Sequence, residues 1–353
     1  MAIGMTSGAS DRRASLLSIV IPLFNEERNV PRLVEEVGSL AAQLPSQVEV
    51  LCINDGSVDN TASALAAVCV RDRRFRLLNL SRNFGKEIAL TVGLDYASGD
   101  VVALMDADLQ HDPLLIKAML AKWSEGFDVV YAQRRARPDQ SALRGWLSTW
   151  YYDLLNWMVD VRLPANAGDF RLLDRKVVAA LRQYRERNRF MKGIFAVAGF
   201  RSVGIEYDVR DRLHASSSWS LWRLWNFALD GITSFSTVPL RAWMYVGSLV
   251  AAASILYALV IVTQTLLLGR DVPGFATVVV LILFLGGIQL LSLGILGEYV
   301  GRIFQEVKQR PLYLVESAIP AINEAEQAWK KVGPGHDAVC EVCGHRGTSD
   351  GRQ

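Results

Sequence analysis

A chain of 353 residues has room for more than one domain. Its net charge of +2 excludes both the broad basic field of a nucleic-acid binder and the acidity of a disordered protein. Apolar residues reach 51% and concentrate between Val238 and Leu296, so the excess belongs to one region rather than to an enlarged soluble core.

In chain order, residues 1–15 are polar and read as a flexible N-terminus. Leu16 to Phe24 follows two arginines, but it is too short for a signal peptide and Pro22 interrupts it. Asn25-Glu26-Glu27 then stands where small residues would permit cleavage, so the stretch reads as a buried strand. LLSIVIPLF, VEVLCIN, FRLLNL, VVALM and FDVVYA are short, apolar and rich in Val, Ile and Leu, which predicts strands. Helices are predicted at about 28–43, 59–70, 86–97 and 113–124. Asp59-Asn60-Thr61 supplies capping residues for the second, and Pro113 suits the first turn of the last. Strands alternating with helices predict a Rossmann-like α/β domain over 16–215, with a mainly parallel sheet covered on both faces.

Ligands of such sheets bind beyond the carboxyl ends of the strands. Asn25-Glu26, Asp55-Gly56-Ser57 and Asp106 to Gln110 all fall there and should converge on one cleft. No GxGxxG follows the first strand and no GxxxxGK[ST] occurs, which argues against dinucleotide and P-loop sites.

Further along, Trp146, Trp150, Leu154 and Trp157 share one helical face in residues 141–160. Trp222, Trp225, Leu229 and Ile232 do the same in an amphipathic helix placed at 216–236. Such stripes are commonly core, but tryptophan also favours the headgroup region and the second stripe runs into an apolar segment. Within 237–308, no Asp, Glu, Lys or Arg occurs from Ala242 to Gly269 or from Val272 to Gly297. Each stretch exceeds the ~20 residues needed to cross a bilayer core. Two transmembrane helices, about 242–268 and 273–299, are therefore expected as a hairpin around Arg270-Asp271. Arg241, Arg302, Lys308 and Arg310 flank the pair, which puts both large flanks in the cytoplasm.

Residues 309–353 read as a cytoplasmic tail. It carries His336, Cys340, Cys343 and His345, which admit either a zinc site or a disordered Gly-rich end. Cys52 and Cys69 lie in apolar contexts and read as reduced core residues.

The chemistry centres on LMDADLQHDP, residues 104–113, where an apolar strand stops in Asp106 and Asp108. As structure, this is an acidic turn capping the next helix. As function, it is a hard-cation site with oxygen ligands suited to Mg²⁺ or Mn²⁺, Gln110 adding a neutral oxygen and His111 being a helix-start residue.

IVIPLFNEE, INDGSVDNT, NFGKEIAL, MDADLQHDP and AGDFRLLDRKVV together resemble the successive motifs of glycosyltransferase family 2. They are most similar to its polyprenyl-phosphate glycosyltransferases, the group of dolichyl-phosphate mannose synthase and the bacterial undecaprenyl-phosphate sugar transferases. The likeness runs from about Ser18 to Arg310 and includes LDGITSFSTVPLR at the membrane entry. It implies a GT-A catalytic domain in which Pro22, Glu26 and Asp55 line the nucleoside pocket, with Lys86 nearby. It implies Asp106, Asp108 and Gln110 as metal ligands against the diphosphate, and Asp169 near the sugar. Arg134 resembles the family arginine after the next strand, and Arg144 and Ser148 the pair that joins it at the acceptor phosphate. One departure stands out: relatives often carry Gly and Lys where this chain has LHASSSWSLW, so a basic lipid-phosphate contact is absent there or falls to Arg212.

The implied reaction moves a hexose, with UDP-glucose the favoured donor, onto undecaprenyl or another polyprenyl phosphate at the cytoplasmic face of a bacterial plasma membrane. Inversion and a metal are expected, no nucleic-acid partner is, and a membrane-embedded homo-oligomer fits the likeness. Two alternatives stay open. A processive polysaccharide synthase would need QxxRW and more spans, whereas QSALRGW is one residue too long and lies too early. A non-catalytic membrane scaffold with a relic domain would fit less well with intact Asp106, Asp108, Gln110 and Arg134.

Overall fold

The computed structural model describes residues 12–134, 167–187, 189, 191–207, 238–268 and 274–320. Eight strands form one sheet: β1 (Leu16–Leu23), β2 (Gln47–Asn54), β3 (Phe75–Leu80), β4 (Val101–Leu104), β5 (Val129–Arg134), β6 (Ala167–Asp174), β7 (Ser202–Tyr207) and β8 (Val315–Ile319). Their spatial order is β7-β5-β6-β4-β1-β2-β3-β8. β1 runs parallel to β2 and β4, β2 to β3, and β5 to β7. β6 is antiparallel to β4 and β5, and β8 to β3. The result is a GT-A-like, mostly parallel sheet.

The period of the strands explains the two cores. Leu17, Ile19, Ile21 and Leu23 of β1 point to one face, where α1 (Val30–Ala42) lays down Val30, Leu33, Val37 and Leu40. Val20 points to the other, onto Ala89, Leu90, Val92 and Leu94 of α3 (Lys86–Tyr96). α3 approaches so closely that a Cβ on Gly93 would stand 2.0 Å from Val20 Cγ1. α2 (Thr61–Arg71) packs on β2 and β3, α4 (Leu115–Ser124) packs on β5, β6 and β7, and α5 (Arg175–Leu181) and α6 (Met191–Val197) follow β6. The four helices expected in the first half of the chain form with ends within two residues of the predicted ones. Pro113 stands in a turn just ahead of α4 rather than inside it. Cys52 and Cys69 are free and buried, and burial pushes the Cys69 thiol up to about 11.

α7 (Val238–Leu268) and α8 (Phe275–Val307) are long and apolar enough to cross a membrane, over Trp243–Ile261 and Phe284–Val307. None of either stretch is buried within the chain. Leu266, Leu267 and Leu290 are 80%, 78% and 72% exposed, an arrangement suited to lipid rather than water. The second stretch extends nearer the C-terminus than the 273–299 expected from charge alone.

After α8 the chain returns to the sheet instead of leaving as a tail. Residues 315–319, read from the sequence as part of the 309–353 tail, form the edge strand β8. The reversal has a physical basis: Tyr313, Val315 and Ala318 pack on the α3-side core, and Tyr313 Oη donates to the buried Asp95 at 2.9 Å. At the penultimate residue of α8, the Glu306 carboxylate accepts the Arg187 N–H at 2.7 Å. The stripes at 141–160 and 216–236 and the cysteine-histidine cluster at 336–345 lie outside the described residues.

Candidate active site

The loops after β1, β2 and β4 meet the first turn of α3 around a cleft of about 310 Å³. Pro22, Glu26, Asp55, Lys86, Asp106 and Asp108 all line it. The sequence thus brought six of its expected site residues to one place.

Loop-to-loop hydrogen bonds fix the walls. Asn25 N donates to Ser57 Oγ at 2.9 Å, and Val58 N to Asn25 Oδ1 at 2.9 Å. Glu26 N donates to Thr61 Oγ1 at 2.9 Å, and Glu27 N to Asp59 Oδ2 at 3.2 Å. Asp59 also caps α2 through Thr61 N at 3.0 Å. Asn25 and Leu109, at φ 55° and 53°, take the left-handed conformation that costs non-glycine residues roughly 1–3 kcal/mol and clusters at functional sites. One follows β1; the other follows Asp108 directly. Gly56, at φ 67°, lets the β2 loop run against the backbone of Arg82 and Asn83, where a Cβ would stand 2.4 Å from Arg82 C.

Asp55 is buried and accepts Phe84 N and Gly85 N at 2.7 and 2.9 Å, holding the turn that delivers Lys86. Burial lifts its pKa above the ordinary carboxylate value even though both N–H groups pull it down. Burial lifts Glu26 too; Asn29 opposes this, and the charges of Asp108, Asp59 and Asp106 reinforce it.

Lys86 is the hub. Its Nζ lies 2.7 Å from Asp106 Oδ1 and 2.7 Å from Asp169 Oδ2. Burial works against the ammonium, but the two carboxylates raise its pKa above the lysine norm. Burial likewise works against the Asp169 carboxylate, and Lys86, Lys192 and Arg171 hold it below the usual range. Asp169 therefore joins the cleft from β6 through Lys86. Gln110 is buried, its backbone N–H donating to Asp108 Oδ1 at 3.2 Å, and it is not among the residues lining the cleft. His111 is not a helix-start residue: it is buried ahead of α4, its ring 5.1 Å from Phe170 and 4.8 Å from Tyr207. Arg134 ends β5 opposite Tyr207. Arg144 and Ser148 lie outside the described residues.

Three groups escaped the sequence reading. Glu87, beside Lys86 in NFGKEIAL, is pushed up to about 7 by burial and the Asp169 charge, and accepts Met191 N at 3.1 Å. Arg171 follows Asp169 by two residues on the same strand face. Burial brings its pKa down to about 10, and it stacks over the Phe195 ring at 4.3 Å. Lys192, on α6, adds positive charge toward Asp169. A charged residue in the first turn of an apolar helix, and another at i+2 in a strand, were the available signals.

Among the described residues no group of three or more His, Cys, Asp or Glu is arranged to hold a metal ion. The donor set is two cleft carboxylates, and one already holds a cation, the Lys86 ammonium. All-oxygen donors that accept positive charge fit Mg²⁺ or Mn²⁺.

A GT-A-like sheet, an acid-rich cleft at its strand ends and a membrane-length hairpin define a sugar-transferase architecture. Residues 18–182 match glycosyl transferase family 2, and residues 238–303 match the GtrB C-terminal hairpin. A glycosyltransferase of Synechocystis is 48% identical over 85% of this chain and 94% of its own length. The SfII prophage-derived bactoprenol glucosyl transferase of Shigella flexneri is 44% identical over 86% of this chain and 98% of its own. Among solved structures, glucosyl-3-phosphoglycerate synthase from Mycobacterium tuberculosis, with Mn²⁺, UDP and glucosyl-3-phosphoglycerate, gives TM-score 0.45 at 18% identity. That match covers 66% of this chain and 84% of the other, and is too distant to say what this chain binds. The chain belongs to glycosyltransferase family 2 and is a glycosyltransferase.

Proposed function

We propose that the enzyme transfers glucose from UDP-glucose to the phosphate of undecaprenyl or a related polyprenyl phosphate, at the cytoplasmic face of a bacterial plasma membrane. The observation that carries this is the convergence of Glu26, Asp55, Asp106 and Asp108 with Lys86 in one cleft, on a chain that also has two membrane-length helices. The activity named for the Shigella relative, at 44% identity over nearly its whole length, supports the donor sugar and the lipid acceptor. The arginines and lysine flanking the hairpin support the cytoplasmic side.

Asp106 and Asp108 would hold a divalent ion, with Gln110 as the third ligand proposed from the sequence motif. Bound there, Mg²⁺ or Mn²⁺ supplies Lewis-acid stabilisation of the leaving nucleoside diphosphate. The chain's own groups do the rest. Asp55 holds the Phe84–Gly85 turn and so sets where Lys86 enters the cleft. Lys86 brings positive charge to the phosphate side, and Asp169 holds its ammonium toward the sugar side. Arg134, with Arg144 and Ser148, offsets repulsion between the two phosphate-bearing substrates and orients the acceptor. A phosphate monoester has its second pKa near ~6, so the acceptor arrives ionised and needs no strong general base. Direct displacement then inverts the anomeric carbon.

The test is a donor screen on the purified full-length protein with undecaprenyl phosphate, with Mn²⁺ or Mg²⁺ and with chelator. Metal-dependent formation of lipid-linked glucose is the expected result. Turnover with a different nucleotide-sugar would correct the donor, and no turnover with any would favour the scaffold alternative.

A further inference from the structure

β8 is the first strand after the membrane hairpin, and it meets the catalytic sheet through side chains as well as backbone. Asn79 of β3 and Ser317 of β8 are register partners, and Asn79 Nδ2 donates to Ser317 Oγ at 2.9 Å. The other end of the same amide, Asn79 Oδ1, accepts Asn54 Nδ2 at 2.9 Å across the β2–β3 pair. Asn54 is 4% exposed, and its own carbonyl accepts the Ser57 N–H at 3.2 Å. Ser57 Oγ then accepts Asn25 N, the residue before Glu26.

Both ends of two neighbouring amides are thus spent on one line. It runs from the post-membrane strand, through the ends of β3 and β2, to the loops that carry Asp55 and Glu26. Asparagine is a poor strand residue, and burying the Asn54 amide costs free energy unless both its ends are paired, which half-buried Asn79 helps to do. Two side by side at adjacent strand ends therefore ask for a reason beyond strand formation. Asn54 is the residue before Asp55, so its orientation sets the start of that turn.

We propose that Ser317 and Asn79 are positioning residues for the nucleotide-sugar donor, coupling the segment that leaves the membrane to the Asp55–Ser57 loop. The proposal rests on the donor reading given above. Neither residue lines the cleft; each acts through Asn54 and Ser57. Because Ser317 is exposed, loss of its hydroxyl should loosen the loop without weakening the core.

The experiment uses full-length protein with Ser317→Ala, Ser317→Thr, Asn79→Ala and the Ser317→Ala/Asn79→Ala double variant. UDP-glucose kinetics, UDP affinity and amide exchange over residues 55–58 are measured on each. Loss of one hydrogen bond near 1 kcal/mol corresponds to about a fivefold change. Ser317→Ala is expected to raise the KM for UDP-glucose about fivefold with kcat nearly unchanged, and to speed exchange at 55–58. Ser317→Thr should restore both. The double variant should be no worse than Asn79→Ala alone, because the two residues act in series. A wild-type KM and wild-type exchange in Ser317→Ala would overturn the proposal, as would strictly additive effects. If the wild-type protein binds no UDP or UDP-glucose, the donor reading fails. Exchange at 55–58 then decides the coupling alone: faster exchange in Ser317→Ala supports it, and unchanged exchange rejects it.

Discussion

Lys86 and Asp169 meet at 2.7 Å across α3 and β6, and the same ammonium lies 2.7 Å from Asp106. One cation therefore balances two carboxylates contributed by distant parts of the chain. The cleft also holds Glu26, Asp55 and Asp108, so this ammonium offsets part of a concentrated negative charge.

Removing that charge separates two effects. In Lys86→Met, Asp106 and Asp169 lose their shared partner, so the free protein should bind Mn²⁺ more tightly, by about tenfold. Sugar transfer should fall in the same variant by about a hundredfold or more, if Lys86 meets the donor phosphates as proposed above. Electron paramagnetic resonance of free Mn²⁺ reads the first effect, and lipid-linked product the second. Weaker Mn²⁺ binding together with normal transfer would show that Lys86 does not compete for the acid cluster.

Asp108→Ala should reduce transfer by about 10²-fold or more while leaving membrane insertion and expression intact. Asp108 lies outside the buried core that holds β4, in a loop whose neighbours Ala107 and Leu109 are the buried residues. Fractionation checks insertion and the donor assay checks transfer; near-normal turnover would remove the metal assignment.

Glu87 predicts a pH dependence of stability. Burial raises its pKa from the ordinary 4.5 to about 7 in the folded protein. Between those values the folded state binds a proton that the unfolded state has lost, so stability falls as pH rises through this window. Glu87→Gln removes the titration. Its thermal midpoint should decline less than that of wild type from pH 5 to 8, and should exceed the wild-type value at pH 8. Parallel curves for the two proteins would mean that Glu87 ionises freely.

Much of this was readable beforehand because it rests on local rules. Strand runs such as LLSIVIPL alternate faces in the fold as the period of two requires. Acidic residues beyond strand ends reached one cleft because parallel sheets gather those ends. What the pattern lacked was long-range and tertiary. β8 has five residues, VESAI, with polar side chains at two of them, and pairs with a strand far away in the chain. Nothing local marks such a segment as an edge strand. Lys86 was legible as a nearby charge, but its bridge to Asp169 depends on β6 running antiparallel beside β4. Glu87 and Arg171 carry ordinary sequence contexts, and their significance comes from burial together with the nearby Asp169 charge, both of which are tertiary.

Tyr313→Phe tests the return of the chain to the sheet after α8. Asp95, near the end of α3, has a side chain only 2% exposed and is held by Arg185 at 2.7 Å and by the Tyr313 hydroxyl at 2.9 Å. Deleting the hydroxyl leaves the aromatic packing in place but takes a donor from a buried carboxylate, at a cost of roughly 1–3 kcal/mol. α3 begins at Lys86, yet its middle is packed onto the face of the paired strands β1 and β2 through Val92 and Gly93, so the strain should stop before the cleft. The thermal midpoint should therefore fall while the KM for UDP-glucose stays within twofold of wild type, the reverse of the pattern expected for Ser317→Ala. A large KM change with an unaltered midpoint would mean that α3 transmits the contact to Lys86 as a rigid rod.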